Sequence, residues 1–221
     1  MKKNYEREYE QFLTDKQVAL VGPAASIDGS GNGGRIDSCD IVVRLNYANI
    51  KEPLDSGLKT NIIYYDGSYH NYSQLNLDFL VCSYPETEWF FSQRCRPNVE
   101  FYENVFNHRV VPAALYGGIK EVLDPKGKIR PNTGLTTMVD LLQYNIKSLF
   151  VTGIDFYKTG YSIHPEYGSK TPQEIKNEFK KGDNGDYHDS EVQYKYFLQY
   201  IHNDKRVLTD QFLKNVITQE L

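Results

Sequence analysis

Residues 19–46 read ALVGPAASIDGSGNGGRIDSCDIVVRLN, and this stretch limits the fold more than any other. An apolar run stops at Gly22, a glycine- and serine-rich turn follows, a short helix is expected next, and a second apolar run closes on Arg44 and Asn46. That order predicts two parallel strands joined by a crossover. Small side chains and backbone N–H groups then lie at the carboxyl end of the first strand, where a phosphate or ribose can approach the backbone closely. The expected feature is a nucleotide pocket.

Further short apolar runs at 61–66, 78–83, 109–112, 148–153 and 206–208 join those at 17–21 and 40–44, each bounded by turns or charges. Helical patterns separate the later ones. Leu135, Met138, Val139 and Leu142 fall at i, i+3, i+4 and i+7, as do Tyr194, Phe197, Leu198 and Ile201. Thr209 and Asp210 look like the cap of a last helix running to about residue 219. Strands alternating with helices predict an α/β fold: one doubly wound, mostly parallel sheet with helices on both faces, as a single domain over 1–221. Ligands of such sheets bind at the carboxyl ends of the strands.

Composition narrows the function classes. A net charge of −4 argues against non-specific nucleic-acid binding, which needs a surplus of Lys and Arg. No apolar run approaches the roughly 20 residues that cross a bilayer, and the start MKKNYEREYEQF lacks the apolar centre of a signal peptide. The expectation is a cytoplasmic protein, with peripheral contact at the inner membrane face allowed. Cys39, Cys82 and Cys95 are odd in number and lack metal-ligand spacing, so they read as free thiols in a reducing compartment.

Four segments fall just after strands: the turn Gly22-Pro23-Ala24-Ala25-Ser26, the end Arg44-Leu45-Asn46, the turn Arg130-Pro131-Asn132-Thr133-Gly134, and residues 153–164. Aromatic residues crowd the middle of the chain: Tyr69, Tyr72, Tyr84, Trp89, Phe90, Phe91, Phe101 and Tyr102. Most read as core, with about two expected to face a site. Residues 161–187 are polar, with the lysine- and glycine-rich run KNEFKKGDNGD, and read as a mobile lid. Asp183, Asn184 and Asp186 lack calcium-loop spacing, and His70, His108 and His202 read as surface groups.

The first segment resembles the long motif of animal sialyltransferases, with Val21-Gly22, Ser30, Gly33, Ile36-Asp37, Asp40, Arg44 and Asn46 in register. PNTGLTTMVDLLQYNIKSLFVTGIDFY is similar to the short motif of that family, and also to bacterial lipooligosaccharide sialyltransferases, where an arginine precedes the turn and the next strand ends G-I-D-F-Y. The two motifs cover about a third of the chain, and as a spaced pair they are fairly specific. The resemblance implies a GT-A-like fold and a CMP-sugar donor, with no metal and no other cofactor.

Residue by residue, the resemblance implies that the turn Gly22, Pro23, Ala24 and Ser26, with Asn46 and Asp155, holds the nucleotide. Thr133 and Gly134 would meet it at a helix amino end, which favours an anion. Arg130 would stand beside the phosphate and Tyr157 would hydrogen-bond the departing phosphate. The family's second tyrosine falls at Ile163, so Tyr161 or His164 must substitute. His188 falls at the catalytic histidine, though the position five residues on is Gln193, not the glutamate of the animal pattern. Asp37 and Asp40 read as structural.

The chemistry suits these residue types. A sugar hydroxyl needs a base within hydrogen-bond reach, and His188 can supply it. The leaving CMP gains negative charge that tyrosine hydroxyls, an arginine and a helix amino end stabilise. A single displacement inverts the anomeric centre. CMP-sugars carry one phosphate, and the third strand ends Asp66-Gly67-Ser68 without D-x-D, so no metal is expected. The donor sugar is then a sialic acid or a related ulosonic acid, with CMP-Kdo second, and the acceptor a growing surface glycan, lipid-linked in one form. Oligomeric state stays open. Two other classes remain: a non-catalytic nucleotide- or sugar-binding module, and a dinucleotide-binding oxidoreductase, against which stands the missing G-x-G-x-x-G.

Overall fold

The apolar runs alternate between two cores. Val18, Leu20, Ile41 and Val43 point to one face of the sheet, while Ala19, Val21, Val42 and Phe150 point to the other, the period-2 alternation of strands buried on both sides. The computed structural model describes residues 5–47, 49–88, 91–162, 164, 167–181 and 188–220. All seven runs expected as strands are strands: β1 (Gln17–Val21), β2 (Ile41–Leu45), β3 (Ile62–Tyr65), β4 (Phe79–Cys82), β5 (His108–Val110), β6 (Ser148–Thr152) and β7 (Val207–Thr209). Their order is β5-β4-β3-β2-β1-β6-β7. Every pairing is parallel, with Leu20 of β1 opposite Val43 and Val151.

The connecting helices are α1 (Glu6–Leu13), α2 (Gly33–Ser38), α3 (Pro53–Ser56), α4 (Arg96–Glu103), α5 (Ala113–Leu123), α6 (Thr133–Leu142), α7 (Pro172–Lys181), α8 (Ser190–Tyr196) and α9 (Gln211–Glu220). Of the stripe predicted on α6, Leu135 and Met138 are buried in the larger core and Val139 and Leu142 pack half-buried against it, while Leu141, outside that stripe, is buried as well; α8 continues through one π turn to bury Phe197 and Ile201 beside Tyr194. Burying such side chains contributes about 1.5–3 kcal/mol each. Ile27 and Ile36 cover the opposite face.

Polar side chains lock the crossovers. Arg44, 2 % exposed, gives its guanidinium to the carbonyls of Ser56, Gly57 and Lys59 and to Thr60 Oγ1, and burial pulls its pKa down to about 10. It therefore ties the β2–β3 connection from below. Asp37 accepts the N–H groups of Leu58 and Lys59, and Asp40 that of Gln17, as structural residues. Under the far side of the sheet, Arg109 of β5 pairs with Asp140 of α6 at 2.6 Å and with Glu6 of α1 at 2.8 Å, which anchors α1.

Two expectations change. His108 is buried against the Tyr65 hydroxyl at 2.8 Å, between rings of β3 and α4, and His70 is buried beside the rings of Tyr47 and Tyr72; neither is a surface group. Within the polar stretch 161–187, α7 is a helix whose Ile175 is fully buried. Residues 163, 165–166 and 182–187 of that stretch, together with Trp89 and Phe90, lie outside the described residues. The three cysteines are buried and form no disulfide, and burial pushes the Cys82 thiol far up. Among the described residues, no helix is long and apolar enough to cross a membrane.

Candidate active site

The chain builds outward from β1 to β5 on one side and returns to add β6 and β7 on the other, so strand order reverses between β1 and β6. A crevice opens at the carboxyl ends of strands at such a reversal. Glycines hold its floor closed. A Cβ on Gly22 would lie 2.2 Å from the Gly153 carbonyl oxygen, and one on Gly153, whose φ is +65°, would lie 2.5 Å from that of Gly22. Above this contact sits a cavity of about 630 Å³. Pro23, Ala24, Asn46, Arg130, Thr133, Gly134, Asp155, Tyr157, Tyr161, His164 and His188 all line it, drawn from turns as much as 165 residues apart, the separation of Pro23 and His188. Gly22 and Ser26 do not. Gly22 lies beneath, against Gly153, while the Ser26 N–H donates to Thr159 Oγ1 at 2.9 Å.

A ring hydrogen bond sets the tautomer of His188. Its Nδ1 lies 2.8 Å from the Arg130 carbonyl oxygen. A carbonyl can only accept, so Nδ1 carries the proton and the neutral ring has its basic lone pair on Nε2. Asp189 caps α8 immediately after it, accepting from the N–H groups of Glu191 and Val192. The Gln193 that replaces the animal glutamate is fully buried and accepts the Asn132 N–H at 2.8 Å. It steadies the Arg130–Asn132 turn that orients His188.

Asn132 is the side chain that joins the parts. Its Oδ1 accepts the Leu135 N–H at 2.8 Å as the N-cap of α6, and its Nδ2 donates to the Tyr157 hydroxyl at 3.0 Å. Tyr157 also hydrogen-bonds Tyr161, and burial pushes its pKa up to about 12, that of Tyr161 well above the usual range. Both phenols stay protonated at neutral pH. The Tyr157 oxygen accepts from Asn132, so its own proton goes to Tyr161 or to a ligand. Phe156 and Tyr157 have φ of +55° and +62°, conformations L-residues avoid. Asp155 holds that loop by accepting from the Lys158 and Thr159 N–H groups and from Thr159 Oγ1, and burial raises its own pKa.

On the β2 side, Asn46 is clamped in a left-handed conformation, φ +51°, with its N–H on the Tyr64 carbonyl at 2.7 Å and its own carbonyl taken by the Tyr72 hydroxyl at 2.6 Å. Its Oδ1 is buried without a hydrogen-bond partner. A buried acceptor left so costs about 1–3 kcal/mol unless a ligand donor reaches it. His164 accepts the Tyr167 N–H on Nδ1 at 3.2 Å, the reverse of His188, and its ring lies 5.0 Å from that of Tyr47 and 4.8 Å from that of Tyr161.

Several lining residues escaped the sequence reading. Asn132 carries a legible signal, a capping residue directly before a helix. Phe179 of α7 packs its ring 5.0 Å from Tyr157 and 5.7 Å from His188, and Tyr47, Asp66, Ser68 and His70 come from strand-end turns with no motif to mark them. Of the crowded aromatics, Tyr69 and Tyr84 reach the cleft, while Tyr72, Phe91 and Tyr102 are buried core. Among the described residues, no three or more His, Cys, Asp or Glu side chains are grouped to hold a metal ion.

Sheet order, parallel pairing and a cleft at the strand reversal define a GT-A-like α/β fold, and that fold is shared with the sialyltransferases. A mammalian sialyltransferase solved with Gal-beta-1-3GalNAc-ortho-nitrophenol superposes with a TM-score of 0.59 at 14 % identity, over 90 % of this chain and 71 % of that one. The monofunctional alpha-2,3-sialyltransferase Cst-I from Campylobacter jejuni gives 0.57 at 18 %, over 87 % and 75 %. The sialyltransferase CstII from the same organism, in complex with cytidine-5'-monophosphate, gives 0.57 at 16 %, over 89 % and 80 %. No protein-family model and no curated protein sequence matches the chain.

Proposed function

We propose that the protein is an inverting glycosyltransferase that moves a sialic acid or related ulosonic acid from a CMP-sugar to a glycan hydroxyl, without a metal. The observation that carries this reading is the bond from His188 Nδ1 to the Arg130 carbonyl, which leaves a basic Nε2 on a residue lining the cleft. The acceptor oxygen attacks the anomeric carbon, its proton passes to His188 Nε2, and the bond to the phosphate oxygen breaks with its electron pair. Tyr157 donates to that oxygen, while Arg130 and the amino end of α6 at Thr133 and Gly134 offset the developing charge. Asn46 Oδ1 takes a hydroxyl or amino donor of the nucleotide.

The fold supports the donor class, since one structural neighbour was solved with cytidine-5'-monophosphate. A single phosphate carries too little charge to demand a chelated cation, and Asp66-Gly67-Ser68 offers no second carboxylate beside the first. The acceptor is a surface glycan assembled on the cytoplasmic side, with residues 161–187 as the lid. Donor consumption measured by mass spectrometry in EDTA tests the reading. CMP-N-acetylneuraminate is expected to be consumed, with CMP-Kdo as the second arm, and turnover of UDP-hexoses alone overturns it. Thermal stabilisation by CMP but not by NAD separates it from an oxidoreductase.

A further inference from the structure

Beyond the donor half, the cleft extends past Asn46 to the carboxyl end of β3, where Asp66, Ser68, Tyr69 and His70 line it. We propose that this end receives the acceptor, with Asp66 and Tyr69 as the residues that select a sugar terminus carrying no negative charge of its own. The inference rests on the donor reading above.

The turn is built rather than incidental. Gly67, at φ +81°, sits so close to Cys95 that a Cβ would lie 2.2 Å from its Sγ, and the Gly67 carbonyl accepts from Asn98 Nδ2 at 2.8 Å. Asp66 Oδ1 accepts the Ser68 N–H at 3.0 Å, which fixes its carboxylate. Behind it stands His70, its side chain only 7 % exposed, with Nε2 3.6 Å from Asp66 Oδ1 and no hydrogen-bond partner. A buried ring nitrogen left in that state signals a site whose polar groups are completed by something else. Tyr69 is 59 % exposed, and its ring is held parallel to that of Tyr102, 6.0 Å away. A fixed carboxylate that accepts from hydroxyls and a supported aromatic ring that covers an apolar face are together the groups that hold a sugar unit.

Charge decides which sugar. Arg130 is the one arginine or lysine among the described residues lining the cleft, and it lies on the donor side beside Thr133. A CMP-linked acid brings a phosphate and a carboxylate, and both draw on that single cation. An acceptor terminus with its own carboxylate would meet the Asp66 carboxylate while the one lining arginine stands on the donor side, and like-charge contact suppresses such a partner.

The test uses the full chain with two acceptors that differ only in whether the terminal sugar bears a carboxylate. Wild-type kcat/KM is expected to favour the neutral terminus by about tenfold or more. Asp66→Asn narrows that preference and raises KM for the neutral acceptor by about fivefold, and Tyr69→Ala, at an exposed position, raises it by a similar factor. Calorimetry with CMP reports the donor half separately. CMP binding with acceptor KM unmoved in both variants, or a wild-type preference for the carboxylate-bearing terminus, overturns this inference alone. Absence of CMP binding by the wild-type protein overturns the donor reading and this one with it.

Discussion

Two histidines line the same cleft and are wired in opposite senses. His188 donates from Nδ1 to a backbone carbonyl, so its neutral ring presents a lone pair at Nε2. His164 accepts at Nδ1 from the Tyr167 N–H, so its neutral ring presents an N–H at Nε2. Their surroundings differ as well: His188 stands edge-on to Phe179, whereas His164 lies among the rings of Tyr47, Tyr161 and Tyr167, at 5.0, 4.8 and 4.5 Å. One imidazole is arranged to take a proton and the other to give a hydrogen bond. The resemblance set His188 at the catalytic histidine and left His164 as a stand-in for a phosphate-binding tyrosine; the partner of Nδ1 gives each ring a different polarity.

Removing the proposed base should have the largest effect. His188→Ala is expected to lower kcat by about 10²–10⁴-fold with CMP affinity changed little, since the ring acts on the acceptor hydroxyl and not on the nucleotide. A variant within tenfold of wild type would remove His188 from the chemistry. Tyr157→Phe comes next, at about 10–100-fold in kcat, through loss of the donor to the departing phosphate. With the Tyr157 pKa near 12, the wild-type profile should show no loss of this donor across pH 10, where an ordinary tyrosine ionises. A Tyr157-dependent fall at pH 10 would contradict its buried, hydrogen-bonded setting.

The difference between the histidines also marks where sequence stops being informative. Strands announce themselves locally, because burial on both faces demands continuous apolar runs; all seven were legible, as were the faces of α6 and the helix from Tyr194. The turns after β1, β2 and β6 and the turn that opens α6 were legible too, which is why Pro23, Ala24, Asn46, Tyr157, Arg130 and Thr133 could be placed in one cleft. What stayed hidden depends on pairings between distant turns. Gln193 looked like a lost acid, yet it holds the Asn132 N–H, and His188 Nδ1 meets a backbone carbonyl. Ser26, expected in the nucleotide turn, gives its N–H to Thr159 Oγ1 in the loop after β6. Helix α7 was masked by its charge: five of its ten residues, PQEIKNEFKK, are Lys or Glu, so a polar face hid the pair Ile175 and Phe179, which reach core and cleft.

His164 offers the smallest effect and the sharpest check on the comparison. If its contribution is the Nε2 N–H, a side chain that keeps a donor near that place should keep part of the function. His164→Gln is therefore expected to lose only a few-fold in kcat/KM and His164→Ala about tenfold, the scale of one hydrogen bond. The same pair of substitutions at His188 should behave differently, because glutamine cannot take a proton at neutral pH, so His188→Gln and His188→Ala should be nearly equal in kcat. The contrast between the two glutamine variants isolates proton acceptance from hydrogen-bond donation without reference to overall stability. Should glutamine rescue at 188 and fail at 164, the roles read from the two Nδ1 bonds are exchanged, and the general base of this cleft is the histidine among the tyrosines.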